Sequence, residues 1–442
     1  MDPSLTMTTR SLLASGLLAL SACGDSTPTP PPSTTNTTGT TEVRRPTEPD
    51  ISALMALPYA GYVEEDEEVA AREGLVSIDR ERSYPGYTLY SVYSLGMAIL
   101  VDHAGNVVHH WRAPMPSRWA HVELLENGDI LTTGIQVKEE DGEDDSEAAP
   151  ERDRRYALRM SWTGEVAWLV PNSAHHEMTL DPDGRIVTFT AKSRREFLQS
   201  TEGAEEGRRR IRDNRVNYLD EEGQTVRSIS LYDMLAASPE KFPLITSSLE
   251  ERKGTHSDLI HANAIEWLRL PDLYDRIPLY GPQHVVISMR HQDRLAIFDL
   301  ENERLLWQWG LGQISGPHDV QPLENGNLLF LDNGVSIGRS RVVELDPMKE
   351  EIVWQWQAPN PTDFMTPTKG SVQRLPNGNT LVANADHGEI FEITRDGDVV
   401  WRYLSPGRGE NGKRCTLHRA RRLEPEFIER LLETHGARPD YK

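Results

Sequence analysis

Histidines recur at one position of a short sequence pattern. Three of them, His121, His176 and His318, precede the glycine of an Asn-Gly or Asp-Gly pair by seven or eight residues. A fourth, His261, begins the related stretch His-Ala-Asn-Ala-Ile, which contains Asn263. Equivalent positions of a repeat occupy equivalent places in a fold. Converging imidazoles either bind a metal ion or serve as nucleophile, acid and anion-binding groups.

Arg290 favours the second of these interpretations. It follows the second predicted strand of the repeat that contains His261. A fixed cation close to imidazoles opposes the binding of a metal ion and favours an oxyanion. The pattern therefore predicts an anionic substrate and no metal. A metal-dependent hydrolase or lactonase, which needs carboxylates in the channel, is the less favoured alternative.

The elements that would position these residues come from a sixfold repeat. Each copy is an apolar strand end, a turn with Asp, Gly or Asn, and a second apolar run that often ends in Trp. Between copies lies a second hairpin signal, an Asn-Gly or Asp-Gly pair followed by apolar residues. Two hairpins make a four-stranded unit, so the repeat predicts an all-β, six-bladed β-propeller. The copies are 99–111, 160–168, 218–226, 297–307, 343–354 and 393–401.

Propeller geometry explains why the histidines would meet. The innermost strands of all blades start at one mouth of the central channel, so equivalent residues of different blades converge there. The Trp residues that end the copies are expected to pack between blades. Packing is also expected for Trp119 and Phe364, for which sandwiching an aromatic substrate is the alternative.

Outside the repeat, helical periodicity is limited to 231–237 and 425–434. Two insertions, 138–155 and 192–215, are interpreted as surface loops. The second contains three consecutive arginines, 208–210, for which anion binding is the alternative. The first contains the acidic run 139–153, which is predicted to be solvated, with a calcium site as the alternative.

The N-terminal residues predict export and lipid attachment. An apolar run at 12–20 leads into Leu-Ser-Ala-Cys, which resembles a bacterial lipobox with Cys23 as the lipidation site. An ordinary signal peptide is the alternative. We expect a lipid-anchored protein of the bacterial cell envelope, periplasmic or at the outer membrane. The predicted segments are a lipoprotein signal peptide (1–23), a disordered Thr/Pro-rich linker (24–50), an N-terminal extension (51–83), the propeller (84–423) and a C-terminal tail with a short helix (424–442).

Charge and cysteine content exclude several classes of protein. With 47 basic and 69 acidic residues the net charge is -22, which opposes binding to nucleic acid. Of the two cysteines, one belongs to the predicted signal. Cys415 therefore has no partner within the mature chain, and neither an internal disulfide nor a cysteine-built metal site is expected.

Several segments resemble the bacterial arylsulfotransferase family. Segments 86–90, 99–102 and 107–111 are similar to the opening of that family. The resemblance covers 84–423, nearly the whole predicted folded part. Four later segments resemble the family's successive active-site segments, in the family's order: His175-His176, His261-Ala-Asn263, Ser288-Met-Arg290 and Gly316-Pro-His318-Asp319.

The resemblance implies transfer of a sulfuryl group from an aryl sulfate to a phenol, without the nucleotide sulfate donor, through a sulfated histidine and without a cofactor. His318 then matches the nucleophile. His261, Asn263 and Arg290 match the groups that hold the sulfate oxygens. His176, or its neighbour His175, matches a further pocket histidine, and the choice stays open because adjacent strand residues face opposite ways.

The chain departs from the family pattern in two respects. Well-characterised members carry an additional N-terminal β domain and a disulfide, whereas only 55–83 precedes the predicted propeller here and Cys415 is unpaired. A monomer or a homodimer is expected. The alternative function is a non-catalytic propeller that binds a ligand or a protein at the cell surface, because propellers host many unrelated functions.

Overall fold

The computed structural model describes residues 61–63, 70–137, 154–198, 207–245 and 258–440. The predicted signal segment with Cys23, the predicted linker and the acidic run 139–153 lie outside these residues. Cys415 is buried and has a free thiol. Among the described helices, none combines the length and the apolar character needed to cross a bilayer.

Six antiparallel sheets surround a central channel, which confirms the predicted all-β, six-bladed propeller. In chain order the strands are β1 (Gly74–Ile78), β2 (Tyr87–Val92), β3 (Met97–Val101), β4 (Val107–Arg112), β5 (Ser117–Leu124), β6 (Ile130–Gln136), β7 (Arg155–Met160), β8 (Val166–Pro171), β9 (Ala174–Leu180), β10 (Ile186–Leu198), β11 (Gly207–Leu219), β12 (Thr225–Ser230), β13 (Ala262–Trp267), β14 (His284–Met289), β15 (Arg294–Asp299), β16 (Arg304–Trp309), β17 (His318–Pro322), β18 (Leu328–Asp332), β19 (Arg341–Asp346), β20 (Glu351–Trp356), β21 (Ser371–Arg374), β22 (Thr380–Asn384), β23 (Glu389–Ile393), β24 (Val399–Leu404) and β25 (Leu417–Leu423).

Each blade has four strands, and blade six has a fifth. Blade one contains β25, β2, β3 and β4, and blades two to five contain β5–β8, β9–β12, β13–β16 and β17–β20. Blade six contains β21–β24, with β1 at its outer edge. The first strand of each blade is innermost, and these six strands contact one another in order around the channel.

Turn chemistry accounts for the hairpins. The six copies of the sequence pattern coincide with the two outer strands of the six blades. The Asn-Gly and Asp-Gly pairs join the innermost strand to the next one in four blades. Their glycines have φ between 82° and 88°, a left-handed conformation that side chains with a Cβ rarely adopt. These glycines are Gly128, Gly184, Gly326 and Gly378.

The first and the last strand of the described chain each pair with a blade formed mainly by the opposite end of the chain. The last strand, β25, pairs with β2 along Tyr87–Val92, so blade one is assembled from the two ends of the propeller. The first strand, β1, pairs with β24 on the outside of blade six. The segment predicted as an N-terminal extension therefore contributes a strand to the propeller. Such closure removes free sheet edges.

Apolar side chains from adjacent blades form the core. Trp111 of blade one and Trp119 of blade two are fully buried in one cluster, and Trp401 lies in the cluster between blades six and one. Phe364 packs against Trp356, with ring centroids 5.4 Å apart. Packing, rather than contact with a substrate, is therefore the role of Trp119 and Phe364.

Two α-helices occupy the positions predicted from the sequence. The first, α1 (Leu231–Ala236), is capped by the hydroxyl of Ser230, which accepts from the backbone N–H of Asp233. The second, α2 (Pro425–His435), buries Ile428 and Leu431 against the cluster between blades one and two.

The interpretation of 192–215 as a surface loop is wrong. β10 and β11 pair along their whole length, from Ile186 opposite Leu219 to Leu198 opposite Gly207. Charged residues dominate this stretch, and the face that packs against α1 buries Asp213 as well as Ile211, so the apolar alternation by which a strand is usually detected is missing. β9 pairs with β10 only as far as Thr190, so residues 191–198 and 207–214 form a two-stranded ribbon that projects beyond the blade. We call this part the projecting hairpin.

Removal of β25 tests the closure of the propeller. A chain that ends at Thr416 leaves blade one without its innermost strand, so we expect loss of the cooperative thermal transition. A chain that ends at Leu423 lacks α2 but keeps β25, and it should unfold cooperatively at a lower temperature than the full chain. Circular dichroism measures both transitions. Equal melting temperatures for the two truncated chains would contradict the closure.

Candidate active site

The start of the innermost strands and the turn after the second strand lie at the same mouth of the channel, because the two strands are antiparallel. In blade four this geometry joins His261, just before β13, to the short helical turn Arg290–Gln292 after β14. The backbone N–H of Arg290 donates to the carbonyl of His261 at 3.1 Å. The two residues predicted to act together are thus neighbours.

Irregular pairing in the innermost strands changes the direction of side chains near the channel. Five of the six innermost strands, all except β21, carry a register shift. His176, His261 and Asp319 at or near these shifts have φ of 60°, 49° and 46°, which non-glycine residues seldom adopt. Such bulges redirect side chains and are frequent at functional sites.

The bulge in β9 distinguishes His175 from His176. Phe189 pairs with His175 and Thr188 pairs with Met178, so His176 and its successor have no partner in the ladder. The ring of His176 lies with its centroid 4.7 Å from that of His261. The ring of His175 instead lies 6.2 Å from Phe189. His176 therefore joins the histidines at the channel mouth, and His175 lies beside them against its own sheet.

Hydrogen bonds determine the tautomer of His318. Its Nδ1 lies 3.0 Å from the carbonyl oxygen of Gly316 and 2.7 Å from Oδ1 of Asn333. The amide nitrogen of Asn333 donates to the carbonyls of Thr366 and Lys369, so the amide oxygen must face the imidazole. Both neighbours of Nδ1 are acceptors, and Nδ1 therefore carries the proton. Nε2 then has a lone pair.

The His318 ring is buried and neutral. Nε2 of His318 is buried and has no hydrogen-bond partner among the residues described. Burial, and next the charge of Arg290, lower the pKa of His318 to about 3. The ring is therefore unprotonated at neutral pH. A neutral imidazole with an unoccupied lone pair is the form that acts as a nucleophile.

Asp258 orients the two histidines of blade four, one through its carboxylate and the other through its backbone carbonyl. Nδ1 of His261 donates to Oδ2 of Asp258 at 2.9 Å, and Nδ1 of His291 donates to the carbonyl of Asp258 at 2.6 Å. Asn214 of blade three donates to the other carboxylate oxygen at 3.1 Å. The guanidinium of Arg290 lies 3.2 Å from Nε2 of His291. This arrangement directs Nε2 of His261 away from the carboxylate.

Asn263 is fully buried and holds two blades together. Its amide nitrogen donates to the carbonyl of Pro317 at 3.2 Å, directly before His318. Its amide oxygen accepts from the hydroxyl of Ser288 at 2.5 Å. One hydrogen of the Asn263 amide nitrogen is thus donated within the protein. The predicted hydrogen bond to a sulfate oxygen would use the second hydrogen.

Two further groups at this mouth were not singled out from the sequence. His418, at the start of β25, lies with its ring centroid 6.1 Å from that of His176. Lys369, just ahead of β21, is fully buried, and its Nζ lies 2.7 Å from Asp386. Lys369 precedes Gly378 by nine residues, much as His318 precedes its own hairpin glycine, so its spacing was a usable signal. No such signal marks His418, because the partner strand of β25 is at the other end of the chain.

Below the histidines, Arg419 spans the channel. It donates to Glu177 at 2.5 Å and to the backbone carbonyl of Asn263, and it lies 3.4 Å from Asp319. Asp319 also accepts from Arg421 at 2.5 Å. Burial opposes ionisation of Asp319, but Arg421 and Arg419 lower its pKa nonetheless. Buried charges thus link blade one to blades three and five, and a hydrogen bond to the backbone links it to blade four.

One group among the described residues has a spacing compatible with a metal ion, namely Asp258, His261 and His291, whose ligand atoms lie within 4.8 Å of one another. The ligand atoms are occupied by hydrogen bonds within the group, and the Arg290 guanidinium touches His291. A cation at that distance opposes binding of a second one. The same cation favours an anion beside His318.

Comparison with protein families agrees with this geometry. The family model described as Arylsulfotransferase (ASST) matches residues 161–405, more than half of the chain. The chain belongs to the arylsulfotransferase family. The match includes β9, β13, β14 and β17, the elements that carry the histidines and Arg290 of this arylsulfotransferase-family protein.

Solved structures similar to this family member have low sequence identity. A protein of unknown function from Bacteroides caccae is 13% identical, covers 76% of this chain and 98% of its own, and has a TM-score of 0.48. Streptogramin B lyase is 12% identical, with coverage of 82% and 93% and a TM-score of 0.42. Virginiamycin B lyase from Staphylococcus aureus is 11% identical, with coverage of 76% and 89% and a TM-score of 0.39. No curated protein matches the chain.

The buried imidazoles predict destabilisation by acid. Burial lowers the pKa of His175 to about 4, that of His318 to about 3, and those of His176 and His418 well below the usual value. The unfolded chain binds these protons near pH 6.5, so stability present above that pH is lost as the pH falls toward about 4. The loss is about 1.4 kcal/mol per pH unit for each histidine. Burial raises the pKa of Glu266 to about 8, so the folded chain binds one proton there that the unfolded chain lacks. This single group stabilises the fold as the pH falls and offsets the effect of one histidine.

Urea unfolding at several pH values measures how steeply the free energy of unfolding changes with pH. This slope reports the number of protons that the chain takes up on unfolding. His418→Gln should lower that number by about one, because the replaced side chain does not titrate. A free energy of unfolding that stays constant between roughly pH 7 and pH 5, the range in which histidine titrates, would contradict the account.

Proposed function

We propose that the protein transfers a sulfuryl group from an aryl sulfate to a phenolic acceptor, without a nucleotide sulfate donor and through a sulfohistidine at His318. Family membership supports arylsulfotransferase activity in general. The observation that supports the histidine route is Nε2 of His318, which is buried, unprotonated and without a hydrogen-bond donor among the described residues. A covalent intermediate divides one difficult transfer into two easier ones.

In the first half-reaction, the lone pair of His318 Nε2 forms a bond to sulfur while the bond between sulfur and the aryl oxygen breaks. The departing phenolate takes a proton from Nε2 of His261 in its protonated form. Asp258, which accepts from Nδ1 of His261, stabilises that charged form. The sulfated ring of His318 carries positive charge. The oxygens of Gly316 and Asn333 at Nδ1 stabilise it.

In the second half-reaction, a phenol gives its proton to His261 and its oxygen bonds to sulfur. The bond between Nε2 of His318 and sulfur breaks, and the electron pair returns to the nitrogen. The same histidine thus acts as acid and then as base, which restores the starting state. Every proton and electron pair is supplied by the chain or its two substrates, so the route requires no cofactor and no metal.

The sulfuryl oxygens accumulate negative charge in both steps, and fixed cations are needed where they lie. Arg290 is 9% exposed, and its charge already acts on His318. The charge of Lys369 acts on His418 at the same mouth, and so does His318. We assign sulfuryl binding to Arg290, with Asn263, Lys369 and His176 as further walls of the pocket.

We also propose that the enzyme is a lipoprotein of the bacterial cell envelope, exported by the signal at 1–23 and acylated on Cys23. The support is the lipobox-like sequence and the apolar run before it. The mass of the mature N-terminal peptide tests this proposal: a diacylated Cys23 agrees with it, and an unmodified residue 23 or an intact signal contradicts it.

Transfer from p-nitrophenyl sulfate to phenol tests the activity. His318→Asn should abolish transfer, because no other lone pair replaces Nε2, and Arg290→Met should reduce kcat/KM by roughly 100-fold or more. His435→Asn, an exposed histidine of α2, is the matched control and should behave as wild type. Parallel lines in a two-substrate kinetic analysis are expected for a covalent intermediate. Absence of turnover across a panel of phenols would favour a binding propeller, and hydrolysis abolished by a chelator would favour a metal-dependent hydrolase.

Asn333→Asp tests the tautomer of His318 separately from its presence. A carboxylate at this position stabilises the imidazolium, so the pKa of His318 should rise from about 3. The kcat/KM for the donor should then decline on the acid side, within roughly pH 4 to 7, where wild type is constant with respect to this group. A uniform loss of rate with an unchanged pH profile would indicate only a structural role for Asn333.

A further inference from the structure

The projecting hairpin rises from the mouth that carries the histidines. β10 runs antiparallel to β9, so its residues after Thr190 extend past the end of the blade where β9 begins, the end that carries His176. Beyond Thr190 and Arg215 the hairpin has no neighbouring strand in its sheet. The face that carries Arg194 and Ile211 packs against α1, where Ile211 is fully buried, whereas Arg195 and Arg210 on the opposite face are exposed to molecules that approach the channel.

The two faces differ in how their arginines are paired. On one face, Arg194 lies 2.5 Å from Glu196 and 2.9 Å from Asp233, so its charge is neutralised. On the other face, Arg195, Arg210 and Arg212 form no ion pair or hydrogen bond through their guanidinium groups with the residues that the structure describes. We call these three residues the arginine face.

Like charges are placed directly opposite each other on this face. Arg195 is the register partner of Arg210, and Arg212 follows two residues along the same strand. Like charges opposite each other in an antiparallel ladder are destabilising. The chain carries a net charge of -22, so nothing in the overall composition calls for three arginines together. An anion bound between them would remove the repulsion.

The arginine face is continuous with the wall of the site. Asn214, two residues beyond Arg212 on the same face, donates to Asp258, the partner of His261. At about 3.3 Å per residue, Arg212 and Arg210 lie roughly 7 and 13 Å beyond Asn214. The charge of Arg212 acts on Asp258, so the arginine face begins at the wall of the site and continues away from it.

We propose that the arginine face binds a second acidic group of the phenolic substrate. The preferred substrates are then phenols and aryl sulfates that carry a carboxylate or a further sulfate at the end of the molecule remote from the reacting oxygen. This inference rests on the proposed sulfuryl transfer, which it deepens by naming the substrate class. Arg212 and its neighbours would both attract such anions and orient them.

A matched series of acceptors tests the preference. With p-nitrophenyl sulfate as donor, para-hydroxyphenylpropionate should have a kcat/KM about tenfold higher than its methyl ester, and tyramine a lower value than the ester. The preference should decrease as the salt concentration rises, because exposed charges are screened. Equal values for the anion and the ester would overturn the proposal.

Variants assign the preference to these residues. Arg195→Gln/Arg210→Gln and Arg212→Gln should each reduce the ratio of the anion to the ester, while transfer to phenol stays within about twofold of wild type. Lys192→Gln is the control, because Lys192 is exposed on the opposite face of the same hairpin. The double variant should melt no lower than wild type, since it removes a like-charge pair. An equal effect of Lys192→Gln, or parallel losses for phenol and the anion, would overturn the proposal.

Binding measurements separate this proposal from the proposed function. In the His318→Asn background, calorimetry should still detect tighter binding of para-hydroxyphenylpropionate than of its ester, and the double arginine variant should lose the difference. If wild type fails to transfer sulfuryl groups but keeps this binding preference, the proposed reaction is wrong and the anion surface stands. If transfer occurs without any binding preference, the anion surface is wrong.

Discussion

One buried guanidinium links the blades that build the site. Arg419 reaches across the channel to Glu177, to the carbonyl of Asn263 and to Asp319. Each of these partners is a close neighbour in sequence of a histidine at the mouth: Glu177 follows His176, and Asp319 follows His318. Because the backbone connects each ionic contact to the adjacent imidazole, a change in this layer moves the histidines above it.

The buried charges in this layer depend on one another. Taking a carboxylate out of water is costly, and loss of one partner of a buried ion pair typically costs about 3 to 5 kcal/mol. Here one arginine serves two carboxylates and a carbonyl, so its loss would deprive Glu177 of its arginine partner and leave Asp319 with Arg421 alone. Arg419 belongs to β25, the strand that closes the ring. The pairing of β25 with β2 therefore both closes the propeller and places Arg419 among its partners at the site.

The layer above uses hydrogen bonds to obtain a reactive nitrogen at neutral pH. In most buried sites a histidine is satisfied at both nitrogens, whereas His318 is held at Nδ1 by two acceptors and left without a partner at Nε2 among the described residues. Burial, and next the charge of the adjacent Arg290, keep the ring neutral by lowering its pKa, and the same charge prepares the site for an anion. The same cation makes the nearby metal-compatible group unfavourable for a metal ion.

Much of this was predictable from local sequence. The turn glycines, the strand alternation and the two helices are local signals, and residues such as His261 and His318 occupy repeated positions that any closed propeller brings together. The geometry of bulges was not predictable, because adjacent strand residues face opposite ways until an extra residue intervenes. The choice between His175 and His176 depended on that extra residue.

Non-local pairing accounts for the other differences. His418 escaped notice because β25 finds its partner, β2, more than three hundred residues earlier in the chain. The projecting hairpin was mistaken for a loop because charged residues interrupt its apolar alternation, and charges such as Arg195 opposite Arg210 are unusual in a ladder. Lys369 had the right spacing, but its residue type differs from the histidines of the other blades.

The central claim is that Nε2 of His318 carries the sulfuryl group between the two substrates. Peptide mass spectrometry of the enzyme after brief exposure to p-nitrophenyl sulfate, without an acceptor, tests it most directly. We predict a gain of about 80 Da, one sulfuryl group, on the peptide that contains His318, and its loss when phenol is added. Full transfer activity without any such adduct, or an adduct on a different residue, would contradict the account.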